Sequence, residues 1–218
     1  MEDAPRTARG RTARGRATRD RIVAAAAGLM YERGVAGTSM DDVRLASGTS
    51  KSQLYHYFAD KTALVCAVVA FQERVVIGDR PFLDDLATLE GLRRWRDQVV
   101  RLNGQAATLG GCPVGGLVPE TANDERSRQA SASAFDSWRA HLADGLRRMQ
   151  AGGELRSEAD PDALALGLLA ALQGGLLLAQ AHQSTAPLEA SLDHALVAVE
   201  TQTTRSRAAR TRRTARDR

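Results

Sequence analysis

Gly34 to Leu64 reads GVAGTSMDDVRLASGTSKSQLYHYFADKTAL, and its start and stop signals decide the fold. Ser39 is a good N-cap, and Asp42 three residues on completes a box-like pattern that also favours the helix dipole. A short helix therefore runs from Met40 to Ala46, with Met40, Val43 and Leu45 or Ala46 turned inward. Ser47-Gly48-Thr49 is a turn in which glycine supplies positive φ. Ser50 then caps the next helix, Lys51 to about Tyr57, and Gln53 stands at the matching box position. Leu54 and Phe58, four apart, are its inward anchors, and Tyr57 also reads as a packing residue. Asp60 caps a further helix from Lys61 to about Ile77. Two short helices joined by a glycine-containing turn, inside a bundle of roughly sixty residues, match a helix-turn-helix.

Upstream, Ile22, Ala26, Leu29 and Met30 share one face of a helix from about Thr18 to Arg33, ended by Gly34 and Gly37. Downstream, Leu89, Leu92, Trp95, Val99 and Leu102 mark a helix over about 90–109, followed by the break Gly110-Gly111-Cys112-Pro113. Phe135, Trp138, Leu142 and Leu146 mark another over about 124–150. Asp160 caps and Pro161 starts a helix to about His182, a first-turn position where proline is tolerated. The last helix, about 187–203, carries Leu188, Leu192, Leu196 and Val199 on one stripe. No strand pattern and no repeat is present. The chain reads as all-α with about nine helices: an N-terminal three-helix bundle over 18–64, then a larger helical domain over 65–204.

The chain has 218 residues, 43% of them hydrophobic, enough for a sizeable core. Its net charge of +4 hides an asymmetry. Residues 1–21 and 205–218 hold seven arginines each, which leaves 16 basic against 22 acidic residues, a net of −6, between them. Charge runs without apolar periodicity predict disordered arms at 1–17 and 205–218. Near DNA such arms add salt-sensitive phosphate contacts; as solvated tails they add solubility. Cys66 and Cys112 fit no zinc or redox spacing, so the expectation is a reduced, cytoplasmic protein. The N-terminus lacks the apolar stretch of a secretory signal. Ala163 to Ala179 is apolar or glycine except for Gln173, but at 17 residues it falls short of a span and reads as a buried or interfacial helix.

Enzyme chemistry finds no footing. The four histidines, 56, 141, 182 and 194, show no metal-ligand spacing, and no Walker or dinucleotide glycine pattern exists. Gly111 to Leu117 contains no serine and is not a nucleophile elbow. No catalytic residue, metal or cofactor is expected.

The segment 34–64, with its Gly-x-x-x-Thr-Ser lead-in, Ser50-Lys51, the Leu54-Tyr55-His56-Tyr57-Phe58 run, and Lys61 with Leu64, resembles the DNA-binding signature of the tetracycline-repressor (TetR) family. One departure is Arg44-Leu45 where that family usually has an Ile-Ala pair, with Leu45 expected to keep an apolar contact. Gly111-Cys112-Pro113-Val114-Gly115-Gly116-Leu117, with Glu120 nearby, resembles the loop of the LmrA/YxaF-type subgroup. The resemblance implies a homodimeric repressor, a palindromic operator in double-stranded DNA, and release by a small apolar or aromatic inducer, with the subgroup pointing to aromatic drugs or flavonoid-like molecules. The rival reading is an architectural, sequence-tolerant DNA-binding protein driven by its arginine arms.

Residue expectations follow. Lys51 meets a phosphate or a guanine, and Ser52 and Gln53 lie on the first exposed turn, where Gln53 pairs with adenine or simply closes the box with Ser50. Tyr55 and His56 are polar-tipped rings on the exposed flank. Thr38, Ser39, Ser50 and Lys61 stand at helix starts, where free N–H groups suit phosphate. Trp95, Val99, Leu102, Cys112, Phe135, Trp138, Leu142 and Leu172 either line an inducer cavity or pack a core. Leu168, Ala171, Gly175, Leu188, Leu192 and Leu196 are expected to pair the last two helices of two copies into a four-helix bundle.

Overall fold

The computed structural model describes residues 6–78, 85–105 and 111–204. The predicted tail at 205–218 and the first five residues of the predicted arm lie outside them. Nine α-helices are present among the described residues: α1 Arg6–Arg33, α2 Met40–Ser47, α3 Lys51–Tyr57, α4 Lys61–Ile77, α5 Leu89–Gln105, α6 Val118–Thr121, α7 Glu125–Ala151, α8 Pro161–His182 and α9 Ala186–Thr201. A 3-10 turn over Gly115–Leu117 leads into α6, and a single bridge pairs Leu155 with Thr203. No strand occurs among the described residues.

Contacts divide the chain into two units, residues 1–76 with 116–134, and 77–115 with 135–218. In the first, Ile22, Val23, Ala26 and Met30 of α1, Val43 of α2, Leu54, Phe58, and Leu64, Val65 and Val68 of α4 are buried. Leu117, Thr121, Ser127, Ser131 and Ala134 of the later segment are buried too. Both boxes form as the spacing predicts. Ser39 Oγ accepts from Asp42 N–H while Asp42 accepts from Ser39 N–H, and Ser50 and Gln53 repeat the exchange. Gly48 closes α2 at φ 62°, where a β-carbon would be strained. Asp60 accepts from Ala63 N–H at 2.6 Å and starts α4.

Two expectations change in this unit. α1 begins at Arg6, so the described part of the predicted disordered arm is helical. Alanine and arginine are strong helix formers, and the packed half of α1 supplies a nucleus that the extension only propagates. Second, Leu45 is 65% exposed and Ala46 is also exposed, so neither is the inward residue. The inward face of α2 runs through Val43 and Ser47, four apart, and position 45 points about 160° away from it on a 3.6-residue helix.

In the second unit α8 and α9 form an antiparallel pair, and α9 also packs on α5. Asp160 accepts from the N–H groups of Asp162 and Ala163, and Gln183 ends α8 in the left-handed conformation. Gly175 permits the close approach: a Cβ there would run into Ser191 Oγ and lie 2.9 Å from Leu188 Cα. Leu92, Trp95, Leu142, Leu146, Met149, Leu168, Leu172, Leu188, Leu192 and Val199 fill the core. α8 is long and apolar enough to cross a membrane, but much of it is spent on this pairing.

Candidate nucleic-acid interface

The head is organised around α3. Leu54 and Phe58 hold it inward, and the remaining faces leave Lys51, Ser52, Gln53, Tyr55 and His56 exposed together. Their backbone is fixed from both ends. Arg21 Nε of α1 donates to Ser47 O at 2.9 Å, locking α1 to the turn, and the Arg19 guanidinium lies 5.4 Å above the Phe58 ring. His56 meets Tyr57 edge to face, with centroids 5.0 Å apart. Gln53 Oε1 accepts Ser50 N–H at 3.0 Å, so the box occupies that oxygen and leaves the amide –NH₂ free to turn outward.

Helix starts flank this face. Ser39 is exposed, but its hydroxyl is committed to Asp42, which holds that carboxyl below the usual carboxylate range. Ser50 Oγ stands 3.0 Å from Ser52 Oγ, and Lys61 is half-buried at the start of α4. Thr38 does not join them. It is 1% exposed and donates its hydroxyl to Gly34 O at 2.9 Å, closing the α1–α2 loop instead of facing outward.

Three features of the head were not singled out from sequence. Arg44 pairs with Asp41 at 2.8 Å across one turn of α2, and that pairing lowers the Asp41 carboxyl. The i, i+3 spacing of opposite charges could have shown this. Glu120 accepts Ala36 N–H at 2.6 Å, Asp124 accepts the Thr62 hydroxyl at 3.4 Å, and Arg126 lies 3.6 Å from Asp60. These bonds cross some 60 to 85 positions, and no local pattern could have found them. The third is Gly15, close enough to Tyr57 that an added Cβ would sit 3.4 Å from its hydroxyl.

The candidate effector residues all belong to the second unit. Trp95, Trp138, Leu142 and Leu172 are buried, as is Cys112, while Val99 and Phe135 are half-buried. Leu102 is exposed in the last turns of α5 and does not join the interior. The indole N–H groups of Trp95 and Trp138 meet no acceptor among the described residues. Burial pushes the Cys112 thiol up, although Gly115 N–H donates to its sulfur at 3.3 Å. No group of three or more His, Cys, Asp or Glu able to hold a metal is found among the described residues.

The residues expected to pair two copies are mostly enclosed by their own chain. Leu168, Gly175, Leu188, Leu192 and Leu196 are buried in the α8–α9 and α5–α9 contacts, and Ala171 is half-buried. The reason is register: the leucine stripe of α9 faces Gly175 and the core of its own unit. A different set is bare. Leu166, Leu177 and Leu178 are exposed on α8 with Gly167, Ala170 and Gly174 between them and Ala163 before them, and Val197 and Ala198 are exposed on α9. Between the helices runs an open apolar groove of about 290 Å³, lined by Gly167, Ala171, Ser191, His194 and Ala198 among others.

Two family models match the chain. Residues 22–68 match the family described as bacterial regulatory proteins, tetR family, and residues 88–194 match the C-terminal domain described as transcriptional regulator LmrA/YxaF-like. An HTH-type transcriptional regulator in the lacX 3′ region of Lactococcus lactis is 32% identical over 80% of this chain and 89% of its own. Transcriptional regulator AcuR of Cereibacter sphaeroides is 30% identical over 77% of this chain and 78% of its own. Among solved structures, a TetR transcriptional regulator from Chloroflexus aurantiacus superposes with a TM-score of 0.70 at 28% identity, covering 87% of this chain and 98% of that one.

Proposed function

The chain belongs to the TetR family of transcriptional regulators, and from that premise we propose that it is a repressor that binds a palindromic operator as a dimer and lets go when a small molecule enters its second unit. The observation that carries the reading is the exposed cluster on α3, where five adjacent polar or polar-tipped side chains stand on a helix held rigid from α1 and by its own cap. Lys51, Gln53 through its free amide, Tyr55 and His56 supply base and phosphate contacts, and beside Ser39, Ser50 and Lys61 the first-turn N–H groups that the boxes leave over supply donors for phosphates. The head is centred on residues 18–64 and completed by residues 116–134, and the second unit binds effector and dimerises. The protein acts in the cytoplasm and carries out no catalysis.

Dimerisation uses the bare stripe Leu166–Leu178 and Val197, since a contiguous exposed apolar face on two adjacent helices needs a partner. The effector is an apolar or aromatic molecule bearing hydrogen-bond acceptors. Trp95 and Trp138 each bury an indole N–H that finds no acceptor among the described residues, an omission costing about 1–3 kcal/mol that an acceptor-bearing ligand would offset. Release needs the effector to favour the DNA-free conformation by a factor of roughly 100, about 2.7 kcal/mol.

The test is binding of the purified protein to the DNA flanking its own gene against a scrambled competitor at several salt concentrations. Strong preference for a palindrome within that DNA is the expected result. Equal binding to the scramble refutes the operator-specific reading.

A further inference from the structure

The family match begins at residue 22, yet α1 begins at Arg6. The sixteen residues before the match hold seven arginines and one acid, Asp20. As a helix they extend about 24 Å along one axis. Their C-terminal part meets the end of α2 and the C-terminal end of α3. Gly15 lies near the Tyr57 hydroxyl, which an added Cβ would approach to 3.4 Å, Arg19 covers Phe58, and Arg21 holds Ser47 O. Thr18 bonds back to Arg14 O at 3.0 Å within the same stretch. Tyr57 in turn packs edge-on against His56, one of the exposed ring side chains of α3.

Arg14 and Arg16 sit on either side of Gly15 and are exposed, with no carboxylate in ion-pair range among the described residues. The rest of the body is acidic, so this basic segment is a local feature beside the reading face. We propose that the N-terminal half of α1 is a second DNA-contacting element, in which Arg14 and Arg16 hold backbone phosphates next to the footprint of α3. A helix anchored through Arg19 and Arg21 presents these guanidinium groups at a fixed place, at less entropic cost than a free tail. Phosphate is the partner because the contact is charge on charge at an exposed edge, and duplex DNA carries one negative charge per roughly 1.7 Å of axis. Such contacts add affinity and register without adding sequence preference.

This inference rests on the DNA-binding reading above, and one experiment separates the two. The full chain and the variant R14Q/R16Q are titrated against a duplex from the DNA flanking its own gene and a scrambled duplex of equal length, over a series of NaCl concentrations. The expected result is a slope of log K against log salt shallower by about 1 to 2 per bound protomer on both duplexes. The ratio of the two affinities stays as in the parent, and R14K/R16K restores the slope. Far-ultraviolet circular dichroism and Tm checked alongside verify that the exposed substitutions leave the fold intact. If the parent binds and the variant keeps its slope, the arm is a solvated extension and the proposal falls alone. If the preference between duplexes changes while the slope does not, it falls as well. If the parent binds neither duplex, the DNA-binding reading falls with it.

Discussion

Replacing Leu177 by Glu, and separately Leu192 by Ala, distinguishes the bare face of α8 from the buried stripe of α9. Leu177 is 66% exposed and Leu192 is 0% exposed in the single chain. Fully burying a leucine side chain is worth about 1.5–3 kcal/mol, so covering the two-thirds of Leu177 still in water contributes about 1–2 kcal/mol. A two-fold interface uses the residue twice, which brings the loss on truncation to about 2–4 kcal/mol, before any penalty for burying the new charge. The dimer Kd should therefore rise by about 30-fold to 1,000-fold. Leu192→Ala instead removes core volume and should lower folding stability by about 2–5 kcal/mol. Sedimentation velocity over a dilution series reads the first, and urea unfolding, at protein concentrations where both proteins are dimers, reads the second. L177E should sediment as a folded monomer where the parent is a dimer. Should L177E keep the parental Kd while L192A loses dimer without losing stability, the assignment of the exposed stripe is wrong and the leucine stripe of α9 makes the interface after all.

Thr38→Val should destabilise the head by about 0.5–1.5 kcal/mol, through loss of its hydroxyl bond to Gly34 O, and leave the salt slope of DNA binding unchanged; a reduced slope would return Thr38 to the phosphate contacts. Cys112 is buried with its thiol pushed up, so under native conditions iodoacetamide should label the half-buried Cys66 first, as peptide mass mapping over time would show, and equal labelling rates would contradict the burial of Cys112. Asp42 is held below its ordinary range by Ser39, so its contribution to the α2 cap is present above about pH 4 and is lost as pH falls through the lowered value. Asp42→Asn should therefore flatten the acid limb of a stability-against-pH curve, and an unaltered limb would dismiss the cap as a contributor.

What sequence disclosed was whatever short-range chemistry governs. The bounds of α3, α4 and α8 follow from Ser50, Asp60 and Asp160, because a cap acts within three residues of itself. The exposed set on α3 follows from the anchors Leu54 and Phe58 by the same logic. Periodicity was weaker where two faces compete. The leucines of α9 show which side is apolar, but not whether that side meets Gly175 of its own chain or a second copy. Leu45 illustrates the converse, an apolar residue in a helix whose inward face lies elsewhere. Thr38 looked like an outward helix start because its bond to Gly34 O depends on how the loop folds. Charge alone argued for a free arm before Thr18, whereas the helix continues to Arg6.

The bonds from Glu120, Asp124 and Arg126 to Ala36, Thr62 and Asp60 bear on how such a regulator can be rebuilt. The head is discontinuous: residues 116–134 bury Leu117, Thr121 and Ser127 within it, although they are encoded some forty positions after α4 ends. A chimaera made by grafting residues 1–76 onto a foreign effector domain would leave the Ala36 N–H without its carboxylate and strip the cover from that side of the bundle. Transplanting DNA specificity into another scaffold therefore calls for two pieces of this chain, or for substitutions within α3 alone that leave the splice untouched.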